Sequence, residues 1–299
     1  MRNIDLASLE ILKAVADEGG ITKAAAKLNR VQSNVTTRVK QLEARLGTEL
    51  FYRRNRRLIL SPAGRTLLGY ADRLLRLSSE AEATLRGGTP RGGFRLGTLE
   101  STAATRLPPV LARYHAAYPD VCIELVTGTT GALIKRVRHD EIEAAFVAEP
   151  FEAGELESQP VFQETLVLIA PRGTRVKTPK DLGRSTVIAF GAGCTYRRCL
   201  ETWLARANVM PERIMEFASY HAIVACVAAG TGVALVPRSV LSVVAGGNQV
   251  AVYPLTTRLS RTRTMLVWRT GHRSIALDAL RHELDRGDAK RNGRRSRSL

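Results

Sequence analysis

The stretch ITKAAAKLNRVQSNVTTRVKQLEARLGTELFYRRNRRLIL, residues 21–60, decides how the first part of this chain folds. It predicts a short helix that begins at an N-cap, Thr22, and stops at Asn29. A second helix is expected from Gln32 until Gly47, because its apolar residues recur at spacings of four, three and four on one face. Those apolar residues are Val35, Val39, Leu42 and Leu46.

The opposite face of the second predicted helix is polar and basic, and a ribbon crowded with arginines follows it. Short hydrogen-bonding side chains and cations of this kind read base edges and bind phosphates in the major groove of DNA. The pattern predicts a winged helix-turn-helix over residues 1–60; an ordinary helical hairpin with a solvated polar face is the alternative. The predicted DNA-binding residues are Thr22, Lys23, Gln32, Ser33, Asn34, Thr36, Thr37, Arg38, Lys40, Arg53 and Arg54.

The same segment resembles the N-terminal domain of LysR-type transcriptional regulators. The family commonly has a Ser-Arg pair in the recognition helix, where this chain has Thr36 and Thr37. The neighbouring Arg38 is therefore the candidate for the arginine contact. The matching positions are Leu9, Leu12, Ala16, Gly20, Ala24, Ala25, Leu28, Gln32, Ser33, Val35, Thr36, Val39, Leu42, Glu43, Leu46, Gly47, Leu50, Phe51, Arg53 and the LSPAG sequence at 60–64.

The composition of the 299 residues favours a polyanionic partner. Lys and Arg number 45 against 28 Asp and Glu, which gives a formal net charge of +17. No run approaches the roughly 20 apolar residues of a membrane span, and the N-terminus lacks the apolar core of an export signal, so a cytoplasmic protein is expected. Neither a metal nor a cofactor is expected, because the cysteines have neither disulfide-framework nor zinc-site spacing. They are Cys122, Cys194, Cys199 and Cys226.

Residues 61–88 are predicted to form one long linker helix. Ser61 is a typical N-cap and Pro62 occupies the first helical position, while Gly87 and Gly88 end the helix. Small and apolar residues alternate along it at spacings of four and three, the pattern of a coiled-coil seam. We expect this seam to join copies of the chain into a homodimer or homotetramer; packing of the helix on its own domain is the alternative. The seam residues are Leu67, Ala71, Leu74, Ser78, Ala81 and Leu85.

Residues 89–288 alternate between short apolar strands and helices. That alternation indicates an α/β domain with a mostly parallel sheet, so the fold class of the whole chain is α+β. The LysR resemblance implies two Rossmann-like half-domains, similar to periplasmic binding proteins, joined by crossing strands near 160–165 and 264–269. Half-domain one would contain residues 93–161 and 268–288, and half-domain two residues 162–267. Residues 289–299 are basic and poor in apolar groups, which predicts a disordered tail.

Ligands of an open α/β sheet bind where strands end and helix N-termini point their N–H groups into a crevice. Three such junctions combine small residues with hydroxyls, near residues 100–102, 128–130 and 191–197. The resemblance implies that a small effector binds in this cleft, and the helix N-termini favour an effector with an anionic group. The candidate effector-binding residues are Ser101, Thr102, Thr129, Val147, Cys194, Thr195, Arg197 and His221.

Simpler roles are open for several of these residues. The hydroxyls also serve as N-caps of helices. Arg197 is placed to pair either with a ligand carboxylate or with Glu201 one turn on. Cys194 is either a redox-active thiol or a small residue that fits its position.

These features predict a sequence-specific transcriptional regulator of LysR type that is not an enzyme. Its expected partners are double-stranded DNA, a small-molecule effector and further copies of itself, with RNA polymerase as a further candidate and no membrane. One alternative is an enzyme with Cys194 as nucleophile and His221 as base. Another is a protein that organises DNA without a ligand.

Overall fold

The computed structural model describes residues 4–54, 57–85, 88–183 and 185–295. For some residues within these ranges the structure describes the backbone but not the side chain, namely residues 53, 54, 57, 80, 83, 84, 257, 258 and 287–295. The chain divides into two compact units, Met1–Gly88 and Thr89–Leu299. Among the described helices, none is both long enough and apolar enough to cross a membrane.

The first unit begins with three helices, α1 (Leu6–Glu18), α2 (Ile21–Lys27) and α3 (Gln32–Leu46). Asp5 caps α1, because its carboxylate accepts a 2.8 Å hydrogen bond from the Ser8 N–H, and this bond lowers the pKa of Asp5. The predicted cap of α2 is wrong. Gly20 is the N-cap, since Ile21 is already helical, and Thr22 therefore lies inside the first turn.

The predicted ends of α2 and α3 are confirmed. Asn29, just after α2, has a left-handed φ of 52°, and Gly47, just after α3, has a φ of 69°. Three residues of the apolar stripe of α3 are buried in a core that the helix shares with α1 and α2, and the fourth, Leu46, is partly buried against it. Each fully buried aliphatic side chain of this kind contributes roughly 1.5–3 kcal/mol. The stripe therefore fixes which face of α3 remains exposed.

The predicted wing consists of two antiparallel strands, β1 (Phe51–Arg54) and β2 (Arg57–Leu60). Helix α4 (Pro62–Leu85) follows, and Ser61 caps it as predicted. The buried Ser61 hydroxyl accepts a 2.9 Å bond from the Gly64 N–H and donates a 2.7 Å bond to the carbonyl of Glu49. An added Cβ at Gly64 would lie 2.1 Å from the carbonyl oxygen of Leu50, so α4 begins in close contact with the wing.

The predicted seam of α4 divides into two parts. Leu67 packs against the core of the first unit and Ala71 is fully buried there. This first part therefore packs on its own domain, which was the alternative interpretation. The later part of α4 presents apolar side chains to solvent. Among the described side chains of α4, the large exposed apolar ones are Tyr70, Leu74, Leu77 and Leu85.

The first half of the second unit is an α/β arrangement in which helices cover a sheet of parallel strands. Strand β3 (Gly92–Thr98) lies between β4 (Val121–Thr127) and β5 (Ala144–Ala148) and pairs in parallel with both. Phe94 on β3 and Phe146 on β5 are fully buried beneath the helices. The elements are β3 (Gly92–Thr98), α5 (Glu100–Thr105), α6 (Leu107–Ala117), β4 (Val121–Thr127), α7 (Thr130–Arg138) and β5 (Ala144–Ala148).

The second half follows one long strand, β6 (Leu156–Pro171). Strands β7 (Val187–Ala189) and β8 (Ile214–Glu216) pair in parallel, and short 3-10 helices occupy Pro179–Leu182 and Arg238–Ser242. The elements are β7 (Val187–Ala189), α8 (Thr195–Ala205), β8 (Ile214–Glu216), α9 (Tyr220–Ala228), β9 (Ala234–Pro237), β10 (Val250–Pro254) and α10 (Thr257–Ser260). The chain then returns through β11 (Arg261–Arg269) to α11 (Ile275–Arg295).

The strands that cross between the halves are β6 and β11. Along residues 156–165, β6 pairs antiparallel with β11, and along residues 166–171 it lies between β9 and β10. Parallel pairing is therefore confined to each half, and the sheet is less parallel than predicted because the two crossing strands run in opposite directions. Helix α11 includes residues 289–295 of the segment for which disorder was predicted; residues 296–299 lie outside the described part of the chain.

Candidate DNA-binding surface and effector cavity

The beginning of α3 is polar and exposed. Gln32, Ser33 and Asn34 form its exposed first turn, and Thr37 and Lys40 follow at exposed positions. A helix that buries one stripe and exposes such a first turn has the geometry with which helix-turn-helix proteins enter a major groove. Thr36 is half-buried, and its hydroxyl donates a 2.9 Å bond to the carbonyl of Gln32.

Arg38 takes part in an ion pair. Its guanidinium lies 4.0 Å from the carboxylate of Asp5, which also pairs with Arg45 at 3.1 Å. Asp5 caps α1, so this pair places Arg38 beside the N-terminus of that helix. Exposed pairs are worth about 0–1 kcal/mol, so this pair holds Arg38 only weakly.

The wing is attached directly to α3. The Glu43 carboxylate accepts bonds from the Leu50 N–H at 2.8 Å and from the Phe51 N–H at 3.2 Å. Thr22 and Lys23 are exposed in the first turn of α2. Arg53 and Arg54 lie on β1, but their side chains fall outside the described residues.

A small cavity lies in the second unit where the strands of both halves end. Its polar lining consists of Glu100, Thr129, Thr130, Cys194 and Thr195, and the other lining residues are Leu99, Gly128, Ala148, Phe190, Tyr196 and Tyr220. The cavity volume is about 20 Å³, which is room for one water molecule. A larger ligand requires the lining residues to move.

Hydrogen bonds join the halves across this cavity, and two of them involve the first turns of α7 and α8. The Gly131 N–H, in the first turn of α7, donates to the carbonyl of Gly193 at 3.1 Å. The buried Thr195 hydroxyl, in the first turn of α8, donates to the carbonyl of Ala148 at 3.2 Å. An added Cβ at Gly131 would lie 3.4 Å from the Cα of Gly193, so the two helix N-termini meet closely.

The wall at α7 offers hydrogen-bond donors. The Thr129 oxygen accepts a 3.4 Å bond from the Ala132 N–H, and the Thr130 oxygen accepts a 3.2 Å bond from the Ala148 N–H. Since each hydroxyl is used as an acceptor in these bonds, each retains its own O–H as a donor. The N–H groups at the beginnings of α7 and α8 add partial positive charge to the same wall.

Glu100 gives the cavity its acidic group. It is the only charged side chain among the described residues that line the cavity. One carboxylate oxygen, Oε1, accepts a long 3.4 Å bond from the Tyr220 N–H, and the other, Oε2, is buried without a hydrogen-bond partner. Burial raises the pKa of Glu100, while the Tyr220 N–H and the nearby His221 act in the opposite direction.

Aromatic side chains form the apolar end of the cavity. Tyr196 and Tyr220 are each 3 % exposed, and burial raises the pKa of both phenols, so both remain neutral. The ring centroids of Tyr220 and Phe190 are 4.8 Å apart. Ser101 is buried beside the two phenols and does not belong to the cavity lining.

Several predicted effector residues lie outside the lining. Thr102 and Val147 are buried, and His221 is exposed at the start of α9. Arg197 pairs with Glu201 at 2.7 Å, which is one of the two roles that the sequence left open. It also pairs with Glu216 on β8. These bonds raise the pKa of Arg197 and occupy its guanidinium.

The lining residues that the prediction omitted adjoin residues that it included. Glu100 precedes Ser101, Thr130 follows Thr129, and Tyr196 follows Thr195. The strand-to-helix junctions therefore supply most of the lining of this cavity. Phe190 and Tyr220 had no comparable sequence signal, because an aromatic residue near a junction is more often part of a core.

The geometry gives no support to the Cys-His enzyme. Burial raises the pKa of the Cys194 thiol, whereas a nucleophilic cysteine needs a lowered pKa. His221 is exposed and lies outside the cavity lining. Within the described part of the chain, no cluster of three His, Cys, Asp or Glu residues is arranged to hold a metal ion.

Comparison with known families agrees with the two units. The family described as "Bacterial regulatory helix-turn-helix protein, lysR family" matches residues 6–65. The family described as "LysR substrate binding domain" matches residues 87–288. The chain therefore belongs to the LysR family of transcriptional regulators.

Individual relatives extend over most of the chain. An uncharacterised HTH-type transcriptional regulator, YusT of Bacillus subtilis, is 39% identical over 278 residues, which cover 93% of each chain. The regulator YofA of Bacillus velezensis is 44% identical over 77% of this chain and 80% of its own length. The crystal structure of full-length CbnR complexed with its target DNA has a TM-score of 0.66, with 21% identity, and covers 95% of this chain and 99% of CbnR. At that identity the structural likeness shows the shared fold.

Proposed function

We propose that this LysR-family regulator binds a specific DNA site as a dimer or tetramer and responds to a small effector in the cavity of its second unit. The observation that carries the proposal is the cavity itself. Its polar lining comes from both halves, which are hydrogen-bonded to each other across it. A ligand there would change how the two halves are held together.

The DNA-binding part of the proposal rests on the first unit. The exposed first turn of α3 would read base edges, and the lysines and arginines around it would bind phosphates. The exposed apolar side chains of α4 would join two copies, so that two recognition helices reach two half-sites. Such a protein would act in the cytoplasm, with RNA polymerase as a candidate partner.

The effector would carry an anionic group. The hydroxyls of Thr129 and Thr130 and the beginnings of α7 and α8 form a donor-rich wall. This polar lining favours a ligand-responsive protein over one that only organises DNA, for which apolar packing would be expected in place of the cavity. Binding would shift the population between a closed and a more open second unit, with no chemical reaction.

The experiment has two stages. Selection of random-sequence duplexes by the full chain should yield a motif with two half-sites. Thermal-shift titration with small carboxylates should then identify compounds that raise the unfolding temperature, and these compounds should change the affinity for the selected DNA. Selection of no motif, or compounds that bind without altering DNA affinity, would contradict the proposal.

The cavity assignment has its own control pair. Thr129→Val removes a hydroxyl from the donor wall. It should lower the affinity for the active carboxylates about tenfold, which corresponds to about 1.4 kcal/mol of binding free energy. Thr127→Val makes the same change at an exposed position outside the lining and should leave binding unchanged. Equal affinities in the two variants would place the effector elsewhere.

A further inference from the structure

We propose that the effector also carries a protonated amine, which Glu100 binds, so that the ligand is a small amino acid or a similar zwitterion. This inference rests on the proposed function, because it concerns the same cavity. It adds a second recognition point, on the side of α5, to the anion-binding wall at α7 and α8. Glu100 becomes the residue that determines specificity.

The first argument is the incomplete bonding of Glu100. Its Oε2 atom is buried without a partner, and its Oε1 atom accepts only the long bond from Tyr220. Glu100 as a whole is half-buried, and its buried oxygen is costly to keep without a hydrogen bond. A ligand ammonium would supply both the charge and the donors that this oxygen lacks.

The second argument is that the nearby cations are already paired or point elsewhere. Arg106 donates to Glu164 at 2.5 Å, and Arg197 is held by Glu201. His221 is close enough to influence Glu100 electrostatically, but it is exposed and does not line the cavity. No basic side chain is present among the described residues that form the lining.

The third argument is the aromatic surroundings. Phe190, Tyr196 and Tyr220 line the cavity together with Glu100. Aromatic faces attract cations, and the effect is larger where water is excluded. A carboxylate among aromatic rings is well suited to an alkylammonium group and poorly suited to a second anion.

The two walls together define the ligand class. One wall offers O–H and N–H donors, and the other offers a carboxylate. A simple carboxylate would satisfy the first wall and be repelled by the second. A simple amine would satisfy the second and leave the first unmatched. A molecule with both groups on a short carbon skeleton complements both walls.

The test compares matched compounds on the full chain. The probes are alanine, β-alanine and γ-aminobutyrate, each beside the carboxylate without its amine (propanoate or butanoate) and the amine without its carboxylate (ethylamine or propylamine). We expect at least one amino acid to bind about tenfold or more tightly than its two partners, the effect of about 1.4 kcal/mol. Calorimetric titration near pH 7 gives the dissociation constants.

Glu100→Gln is the decisive variant, because it keeps the shape of the side chain and removes the charge. It should abolish the preference for the amino acid over the matched carboxylate. Glu155→Gln removes an exposed carboxylate of the same unit and should preserve the preference. Thermal unfolding of both variants checks that they are folded.

The outcomes separate this inference from the proposed function. The zwitterion proposal would be overturned if the carboxylates bound wild type as tightly as the matched amino acids, or if the preference for amino acids persisted in Glu100→Gln. Either result would leave an effector cavity in place. Failure of every amino acid to bind would overturn it as well. Ligands whose affinities are unchanged by both Glu100→Gln and Thr129→Val would remove the cavity from effector binding altogether, and both proposals would fail.

Discussion

Thr195→Val should destabilise the second unit, and the structure allows the effect to be estimated. Valine has nearly the shape of threonine, so the change removes little more than the hydroxyl. That hydroxyl is buried and donates a 3.2 Å hydrogen bond to the carbonyl of Ala148, on the other side of the cavity. The bond therefore contributes both to folding and to the closed arrangement of the two halves.

The free energy of unfolding should fall by about 1–3 kcal/mol, the range for breaking a buried hydrogen bond and leaving its acceptor, here the Ala148 carbonyl, without that donor. For a unit of this size, each kcal/mol lowers the unfolding temperature by roughly 2–4 °C. Thr195→Val should therefore unfold several degrees below wild type. The weakened closure should also shift the balance toward the open form by about tenfold per 1.4 kcal/mol. A smaller shift is then left for the effector to produce, so the effector response should weaken.

Thr264 provides a matched control with the opposite expected sign. It is fully buried, and its hydroxyl has no hydrogen-bond partner. Removing an unsatisfied buried hydroxyl avoids a desolvation cost, so Thr264→Val should be neutral or should stabilise by about 1 kcal/mol or more. Thr195→Ser keeps the hydroxyl and should retain most of the stability and the response. Urea unfolding of all three variants provides the test. If Thr195→Val and Thr264→Val lose equal stability, the cross-cavity bond has no special role.

Three further predictions concern other parts of the chain. Gln32→Ala should lower the affinity for the selected DNA site by about 1–3 kcal/mol and spare random duplexes; equal losses in an anisotropy titration would exclude base reading. Leu74→Glu places a charge on the exposed stripe of α4, and sedimentation should then show monomers; an intact dimer would assign assembly to the second unit. For Glu100→Gln, the raised pKa fixes the sign of the pH dependence. Above the folded-state pKa, the ionised Glu100 carboxylate lowers the free energy of unfolding of the wild type, so the variant should be more stable than wild type near pH 7. This difference in stability should disappear as the pH falls toward the ordinary pKa of 4.5. Urea unfolding at both pH values would show no such trend if burial were unimportant.

Much of the fold could be predicted because its signals are local. Ser61 followed by Pro62 marks the start of α4, and Gly47 marks the end of α3 through its left-handed backbone. The strands and helices of the second unit follow from apolar runs and the junctions between them. The pairing of α4 with its own domain was harder to predict, because a seam of alternating residues does not show which part of it meets a neighbouring helix.

The candidate site could be predicted only to the level of its junctions. Successive residues in the first turn of a helix point about 100° apart, so the sequence could not decide between Glu100 and Ser101 as the lining residue. The pairing of Arg38 with Asp5 also depended on a contact between elements far apart in the chain. Such contacts form only when the elements are packed together, and no local pattern encodes them.

The contacts across the cavity indicate where ligand discrimination should be strongest. Gly131 and Thr195 already donate hydrogen bonds to carbonyl groups of the opposite half. A ligand that takes either donor must first break such a bond, so it gains only the difference between the new bond and the old one. The Oε2 atom of Glu100 has no protein partner to lose, so an ammonium bound there breaks no existing protein hydrogen bond. Ligands that share a carboxylate should therefore differ in affinity mainly through what they offer to Glu100.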